Sequence, residues 1–308
     1  MRTGTGSCGA HHGELLQGWF TDAADVARPG LVTLPLPGCA VRATFTPGGR
    51  GITVSPPDRS KADRAARLAA EAVGAPGGDL VLDGGVPAGL GMGSSTADVV
   101  ATVRAVADTC GVVPSPRTIA RIAVGAEAAS DPLMFDDRPR LFAHRDGDVL
   151  EDLGAALPPL RVLGCLLESG RPVDTPLARP PRPSPSEVAF YADLRGRLRR
   201  AVVTGDSDLL GRVATASALR ARPGPDVERL RSVAAATGAV GVQIAHSGNV
   251  AGLLFDAAGP LSGPHRAAAA LRAHGLPPTR LFAIGGRPWT HTSPTPSDDR
   301  TWSVSTTG

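Results

Sequence analysis

The segment 84–110, GGVPAGLGMGSSTADVVATVRAVADTC, constrains this chain more than any other. A short apolar strand, Leu80-Val81-Leu82, runs into a turn with glycines at 89, 91 and 93. The turn runs into a helix with Ala97, Val99, Val100, Val103 and Val106 as its apolar positions. Bare glycine backbone lets a bulky anion approach the main-chain N–H groups. Ser94, Ser95 and Thr96 add hydroxyls where the helix starts, and a helix N-terminus supplies unpaired N–H donors and partial positive charge. The stretch reads as a phosphate cradle with no lysine in it. It is not a Walker A loop, because no Lys-Ser/Thr follows the glycines, and the G-x-G-x-G spacing breaks the dinucleotide fingerprint. A nucleophile elbow is also absent, because Thr96 and Ala97 follow the serines where G-x-S-x-G needs a second glycine. The bland alternative is a glycine-rich loop whose Ser94 or Ser95 caps a core helix.

Pro87-Ala88-Gly89-Leu90-Gly91-Met92-Gly93-Ser94-Ser95-Thr96-Ala97 resembles the second motif of the GHMP kinases, P-x-x-x-G-L-G-S-S-A-A, with a small insertion. Two flanking segments extend the resemblance. Residues 6–18, GSCGAHHGELLQG, are similar to the family's first motif through Gly13-Glu14, with Leu15 in place of the motif's histidine and His11 and His12 ahead of the glycine. This wording is closer to the L-threonine kinase branch. Residues 238–256, GAVGVQIAHSGNVAGLLFD, resemble the third motif: apolar runs Val240–Ala245 and Val250–Phe255 flank the turn His246-Ser247-Gly248-Asn249. Asn249 stands where that branch commonly has threonine. Without a family, the last segment is a β-hairpin; Glu14 could bind an ammonium or hydroxyl and His12 could donate to a carboxylate or phosphate, the alternative being a solvated Glu and a pair of surface histidines.

In the middle of the chain, Ile119, Ile122, Ala123 and Ala126 form a helical apolar stripe. Glu127 and Asp131 lie four apart, so they share a helix face if the helix extends that far. Pro132 biases Asp131 away from the α region. Asp131-Pro132 resembles the element carrying the GHMP catalytic aspartate, and Glu127 matches the upstream magnesium glutamate.

The resemblance implies an ATP- and Mg²⁺-dependent phosphotransferase. Residues 87–96 would hold the ATP phosphates, with Lys61 at a helix start also meeting nucleotide. Ser95, or Ser94, and Glu127 would hold magnesium, and Asp131 would take or orient the substrate hydroxyl proton. Acceptor contacts fall to His12, Glu14, Thr33, His246, Ser247, Gly248 and Asn249, with Arg28 as the cation for an amino-acid carboxylate. L-Threonine is the favoured acceptor. The rivals are another GHMP reaction, such as phosphorylation of homoserine or a related amino alcohol, and a non-catalytic nucleotide-binding regulator.

The implied fold is α+β. An N-terminal domain resembling ribosomal-protein S5 domain 2 is expected over 1–160 and a ferredoxin-like domain over 161–285. The Pro/Ser/Thr/Asp-rich 286–308 is expected to be a disordered tail. The pattern predicts strands over 30–46 and 51–55, a helix over 61–74 and a hairpin over Leu141–Leu153 turning at Arg145–Gly147. A strand follows over Arg161–Glu168, then a proline-rich loop over 171–186 with Val173–Thr175 similar to the branch. Beyond it come helix over 187–236, a helix over Gly263–His274 and a strand over Leu281–Ile284. A formal charge of +3, seven Phe and one Tyr argue against a nucleic-acid partner. The cysteines 8, 39, 110 and 165 show no C-x-x-C, and neither a signal peptide nor a transmembrane run is evident, so a reducing cytoplasm is expected. Oligomeric state leaves no mark in the sequence.

Overall fold

The computed structural model describes residues 1–84, 86–135, 138–154, 156–167 and 181–285. The Val173–Thr175 segment and the tail from 286 lie outside the described residues, as does most of the proline-rich loop. The chain order is β1 (Gly4–Thr21), β2 (Ala27–Pro47), β3 (Ile52–Ser55), α1 (Ser60–Val73), β4 (Gly78–Gly84), α2 (Ser94–Thr109), α3 (Pro116–Glu127), β5 (Arg140–Ala143), β6 (Asp148–Asp152) and β7 (Leu160–Leu166). Then follow α4 (Pro185–Thr204), α5 (Ser207–Ala221), α6 (Pro225–Thr237), β8 (Gly241–Ile244), β9 (Val250–Asp256), α7 (Ser262–Ala273) and β10 (Pro278–Ile284). No helix among the described residues is long and apolar enough to cross a membrane.

Strands from both halves join one sheet in the order β10-β7-β9-β8-β1-β2-β4-β3. The expected division at 160 falls at the start of β7. The halves meet where β1 pairs with β8 through Glu14 and Ile244. In the second half, β7, β8, β9 and β10 stand in the spatial order fourth, first, third, second, all antiparallel. This is ferredoxin-like topology, with α4, α5 and α6 among the described residues of the first crossover. In the first half, α2 lies across β1 and β2, and α1 and α3 pack on α2. An apolar cluster runs through both halves, and a second one sits between β7–β9 and helices α6 and α7.

The expected single helical stretch 187–236 is three helices. Gly205 ends α4 in the left-handed conformation, and Asp206 caps α5 by accepting the Leu209 N–H at 2.8 Å. Pro225 then opens α6 after Gly224.

Strand β1 is the element that the sequence pattern did not announce, because its residues 4–18 mix glycine with His, Glu and Gln instead of β-branched residues. Its glycines have a packing cause. A Cβ at Gly4 would overlap the Ala105 carbonyl oxygen and the Thr109 nitrogen; one at Gly6 would overlap the Ala101 carbonyl oxygen and the Ala105 nitrogen. Helix α2 therefore rests directly on the β1 backbone. The register of β1 against β2 shifts between Gly9 and Ala10, and again on either side of Glu14. These bulges re-aim the side chains of residues 11–14.

Gly6→Ala should destabilise the protein by about 1–3 kcal/mol through overpacking, read as a lower urea midpoint. Gly48→Ala, which faces open space, should leave the midpoint unchanged.

Candidate active site

Gly89, Gly91 and Gly93 all have positive φ (76°, 82° and 70°), and Gly93 is the N-cap of α2. No side chain caps this helix. Ser95 and Thr96 instead turn away from the helix end, each donating a 2.7 Å hydrogen bond to Glu127. The capping alternative is thus not what forms, and the N-terminal amides of α2 are left without a side-chain partner.

Backbone contacts hold the loop on two sides. The Met92 carbonyl accepts the His11 N–H (3.2 Å), and the Leu90 carbonyl accepts the N–H groups of Asn249 and Val250 (3.0 Å each). A Cβ at Gly91 would overlap the Ser247 carbonyl oxygen, and one at Gly248 the Leu90–Gly91 peptide. The glycine loop and the β8–β9 turn therefore touch main chain to main chain.

Helix α3 stops at Glu127, and Ala128 takes a left-handed conformation (φ 63°). Glu127 and Asp131 do not share a helix face, correcting that expectation. They meet through Thr96. Its hydroxyl donates to Glu127 and accepts the Asp131 N–H (3.2 Å), and Asp131 Oδ2 lies 3.4 Å from it. Burial pushes Glu127 up to about 7, aided by the Asp131 charge, against the Thr96 and Ser95 hydroxyls and Lys61, whose Nζ lies 4.0 Å from Oε2. Burial also acts against ionised Asp131, but His11, with His144 and His246, outweighs it and holds that carboxyl below its ordinary range.

His11 lies between two carboxyls, the buried Glu14 and the half-buried Asp131. Its Nε2 lies 3.1 Å from Asp131 Oδ2, and its Nδ1 lies 3.7 Å from Glu14 Oε1. The Gly13 N–H donates to Nδ1 (3.1 Å), so the neutral ring carries its proton on Nε2, facing Asp131. A second proton has to displace that amide. Burial opposes the second proton, but Asp131 and Glu14 outweigh burial and raise the His11 pKa to about 9. Burial raises Glu14 to about 8, against His11 and the His246 N–H that donates to Oε2. His246 Nδ1 sits 2.9 Å from Gln17 Oε1 and packs its ring 5.0 Å from His144.

One cavity of about 360 Å³ connects these groups. Its walls include Gly89, Gly91, Met92, Gly93, Ser94, Ser95 and Thr96, with Lys61 at the start of α1, and also Glu127, Asp131, Glu14, His246 and Ser247. These are expected site residues that the fold does bring together.

Seven others do not line the cavity. Pro87 is exposed ahead of the loop, and Leu90 serves through its carbonyl. Gly248 and Asn249 pack on the loop backbone, as described. Thr33 lines a separate small apolar recess behind Pro132. Arg28 pairs with Asp22 (2.6 Å) and Asp146 (3.3 Å) instead of reaching the cavity. His12 is a core histidine: its Nδ1 meets Gln243 Nε2 at 2.8 Å, its ring packs on Phe282, and burial drives its pKa down to about 3.

Among the wall residues that the sequence reading did not assign to the site are His11, His144 and Asp98. His11 takes the place expected of His12, because consecutive strand residues point to opposite faces; recognising β1 is what would have separated them. His144 follows β5, and Asp98 on α2, paired with Arg59 at 3.5 Å, carries a pKa that burial raises to about 6. No motif marks either.

Ser95 Oγ and Glu127 Oε2, 2.7 Å apart, are oxygen donors beside the amides of α2, a set that fits a hard divalent cation such as Mg²⁺. Donor atoms of His11, Glu14 and Asp131 also lie within 4.8 Å of one another, but His11 Nδ1 already accepts the Gly13 N–H.

Residues 60–136 match the family model for the GHMP kinases N terminal domain. The chain is 30% identical over 265 residues to an L-threonine kinase from Citrobacter freundii, covering 81% of this chain and 85% of the relative. It is 31% identical over 207 residues to a 4-diphosphocytidyl-2-C-methyl-D-erythritol kinase from Salinibacter ruber, covering 63% and 67%. The solved homoserine kinase from Cytophaga hutchinsonii superposes with a TM-score of 0.64 at 16% identity, covering 92% of this chain and 96% of that one.

Glu14 binds its proton more tightly folded than unfolded, since its folded value near 8 exceeds the ordinary 4.5. Its stabilising contribution is complete below pH 4.5 and is lost as pH rises through 8. Glu14→Gln should therefore gain stability relative to the parent across that window, by at most about 1.4 kcal/mol per pH unit. Urea titrations at pH 5 and pH 8 read the difference.

Proposed function

Because this chain belongs to the GHMP kinase family, we propose that it transfers the γ-phosphoryl group of ATP to the side-chain hydroxyl of a hydroxy amino acid. The best-matched reaction is L-threonine to O-phospho-L-threonine. The observation that carries this reading is the continuous cavity. Its walls join the uncapped α2 amides and Lys61 to Asp131, a half-buried carboxylate held ionised beside His11.

Phosphoryl transfer asks a protein for alignment and charge neutralisation more than for covalent chemistry. In this reading the amides of residues 93–96 and the Lys61 ammonium hold the β- and γ-phosphates. Ser95 and Glu127 hold Mg²⁺, which when bound supplies charge neutralisation at the phosphate oxygens. Asp131 Oδ2 accepts the acceptor's hydroxyl proton. His11 Nε2, 3.1 Å away, balances that carboxylate's charge, and the Thr96 hydroxyl fixes the backbone at 131.

The identity to an L-threonine kinase over most of both chains favours threonine, and the superposition on a homoserine kinase keeps homoserine as the second reading. With ATP and Mg²⁺, ³¹P spectra taken over a panel of L-threonine, L-serine, L-homoserine and 1-amino-2-propanol separate them; phosphothreonine should form fastest. ATP binding with no transfer to any of the four would point to a nucleotide-binding regulator.

Asp131→Asn should slow single-turnover γ-phosphoryl transfer by about 10²–10⁴-fold while leaving ATP affinity within a few-fold. An unchanged transfer rate would remove Asp131 from the base role.

A further inference from the structure

Helix α2 carries a carboxyl that neither the helix itself nor the chemistry at Asp131 explains. Asp98 lies beyond the first turn of α2, where a carboxylate no longer complements the helix dipole. It is 8% exposed, on a helix whose other buried residues are apolar or carry hydroxyls. Among the described residues its partner is Arg59, whose Nη1 stands 3.5 Å from Oδ2, beyond the roughly 2.7–2.9 Å of a charge-assisted hydrogen bond. Arg59 therefore balances the charge without filling the lone pairs. A buried carboxyl with unmet acceptor positions costs free energy that a ligand's donor recovers.

Asp98 opens on the cavity. It forms part of the wall, and its side chain keeps 11% of its surface. Unlike His11 Nε2 and His144 Nδ1, neither of its oxygens is sealed from solvent. It follows Ser94 and Ser95 by four and three residues, so it shares their helix face about 5–6 Å away and leans toward the cradle. The start of α1 builds the wall around it, with Asp58 and Ser60 exposed and Arg59 half-buried.

In the kinase reading this wall receives the nucleoside. The α2 amides and Lys61 take the terminal phosphates, and the wall at Asp131, His11 and Glu14 takes the acceptor. The face between α1 and Asp98 is what remains beside the cradle. Chemistry restricts the group that Asp98 meets there. Phosphate oxygens are acceptors and repel a carboxylate. A second metal cation would be repelled by Arg59, which already supplies the positive charge. A hydroxyl donates without bringing charge, and the sugar is the part of a nucleotide bonded to the phosphates, with the base farther out. A carboxylate one helical turn from the cradle therefore meets the sugar first. Burial raises the Asp98 pKa to about 6 against the pull of Arg59, so at about pH 8 the group is ionised and acts only as an acceptor.

We propose that Asp98 is a nucleotide-binding residue whose carboxylate accepts a hydrogen bond from a ribose hydroxyl, so that the site selects ribonucleotides over their deoxy analogues. The inference rests on the kinase reading above and extends it to the part of the nucleotide that the phosphate cradle does not hold.

Calorimetric titration at pH 8 with Mg²⁺ and no acceptor tests it, comparing ATP with 2′-deoxy-ATP and 3′-deoxy-ATP. In the wild type, removing the hydroxyl that Asp98 holds should weaken binding by about 10–100-fold, the worth of one hydrogen bond to a charged group. Removing the other hydroxyl should matter less. Asp98→Ala should weaken ATP by the same factor and leave the sensitive analogue unmoved, so that the nucleotides bind alike. Asp98→Asn keeps the shape and a neutral acceptor; it should show a reduced preference, and it carries the test if the alanine variant does not fold. Arg59→Gln separates holding the sugar from balancing charge: it should weaken all three nucleotides by a common factor and keep the preference. Equal binding of the three by the wild type overturns the assignment. So does a preference that survives Asp98→Ala, is undiminished in Asp98→Asn, or vanishes in Arg59→Gln. A wild-type protein that binds no ATP overturns the kinase reading itself, a result seen before any variant is made.

Discussion

Helix α2 is positioned by contacts that only glycine permits. Gly4 and Gly6 let its body lie on the backbone of β1, and Gly91 and Gly248 let the loop at its start touch the β8–β9 turn main chain to main chain. Any side chain at these points would separate the layers by the width of a methyl group. The placement of the uncapped α2 amides relative to His11, Glu14 and Ser247 follows from this close approach. So does the cavity, because β1 forms one of its walls and the β8–β9 turn another. The hydrogen bonds from Asn249 and Val250 to the Leu90 carbonyl and from His11 to the Met92 carbonyl then lock a geometry that the glycines made possible.

Around that frame the protein buries an unusual concentration of titratable groups. Glu14, Glu127, His11 and His144 are buried, with the half-buried Asp131 and the more exposed His246 beside them, in a space where each unpaired charge is costly. The environments sort them. Asp131 stays ionised chiefly because His11 lies beside it, whereas Glu14 and Glu127, with less compensation, are pushed toward the neutral form. His144 and His246 are held neutral, while His11, between two carboxyls, is the most basic of the three. Carboxyls and imidazoles of similar intrinsic character are thereby given different proton affinities, the arrangement that acid–base chemistry needs. A stability-optimised core would place apolar residues there, so this cluster marks where the fold serves a ligand.

Much of the chemistry was legible in the chain. The positive-φ glycines, the Ser95 and Thr96 hydroxyls at a helix start, Asp131 ahead of Pro132 and the turn at 246–249 all sit in segments whose residue types carry their own physical reason. Strand β1 was not legible, because its glycines exist for the helix lying on it and its polar residues for the cavity, so neither β-propensity nor alternation is visible. Choosing between His11 and His12 required knowing that the segment is extended and bulged. Arg28 looked free in sequence, but the fold turns it to Asp22 and Asp146.

By itself the amino-acid sequence determined the local matter: the cradle, the capped helices, the apolar runs and the family that they resemble. These depend on backbone preferences and side-chain chemistry acting within a few residues. The tertiary structure alone decided which titratable groups meet. It set His11 against Asp131, turned His12 into the core, brought Thr96 between Glu127 and Asp131, and carried His144 to the cavity wall. Those pairings come from strand register and from layers packed across distant segments, where a shift of one residue reverses a side chain's face, and no local pattern records that shift.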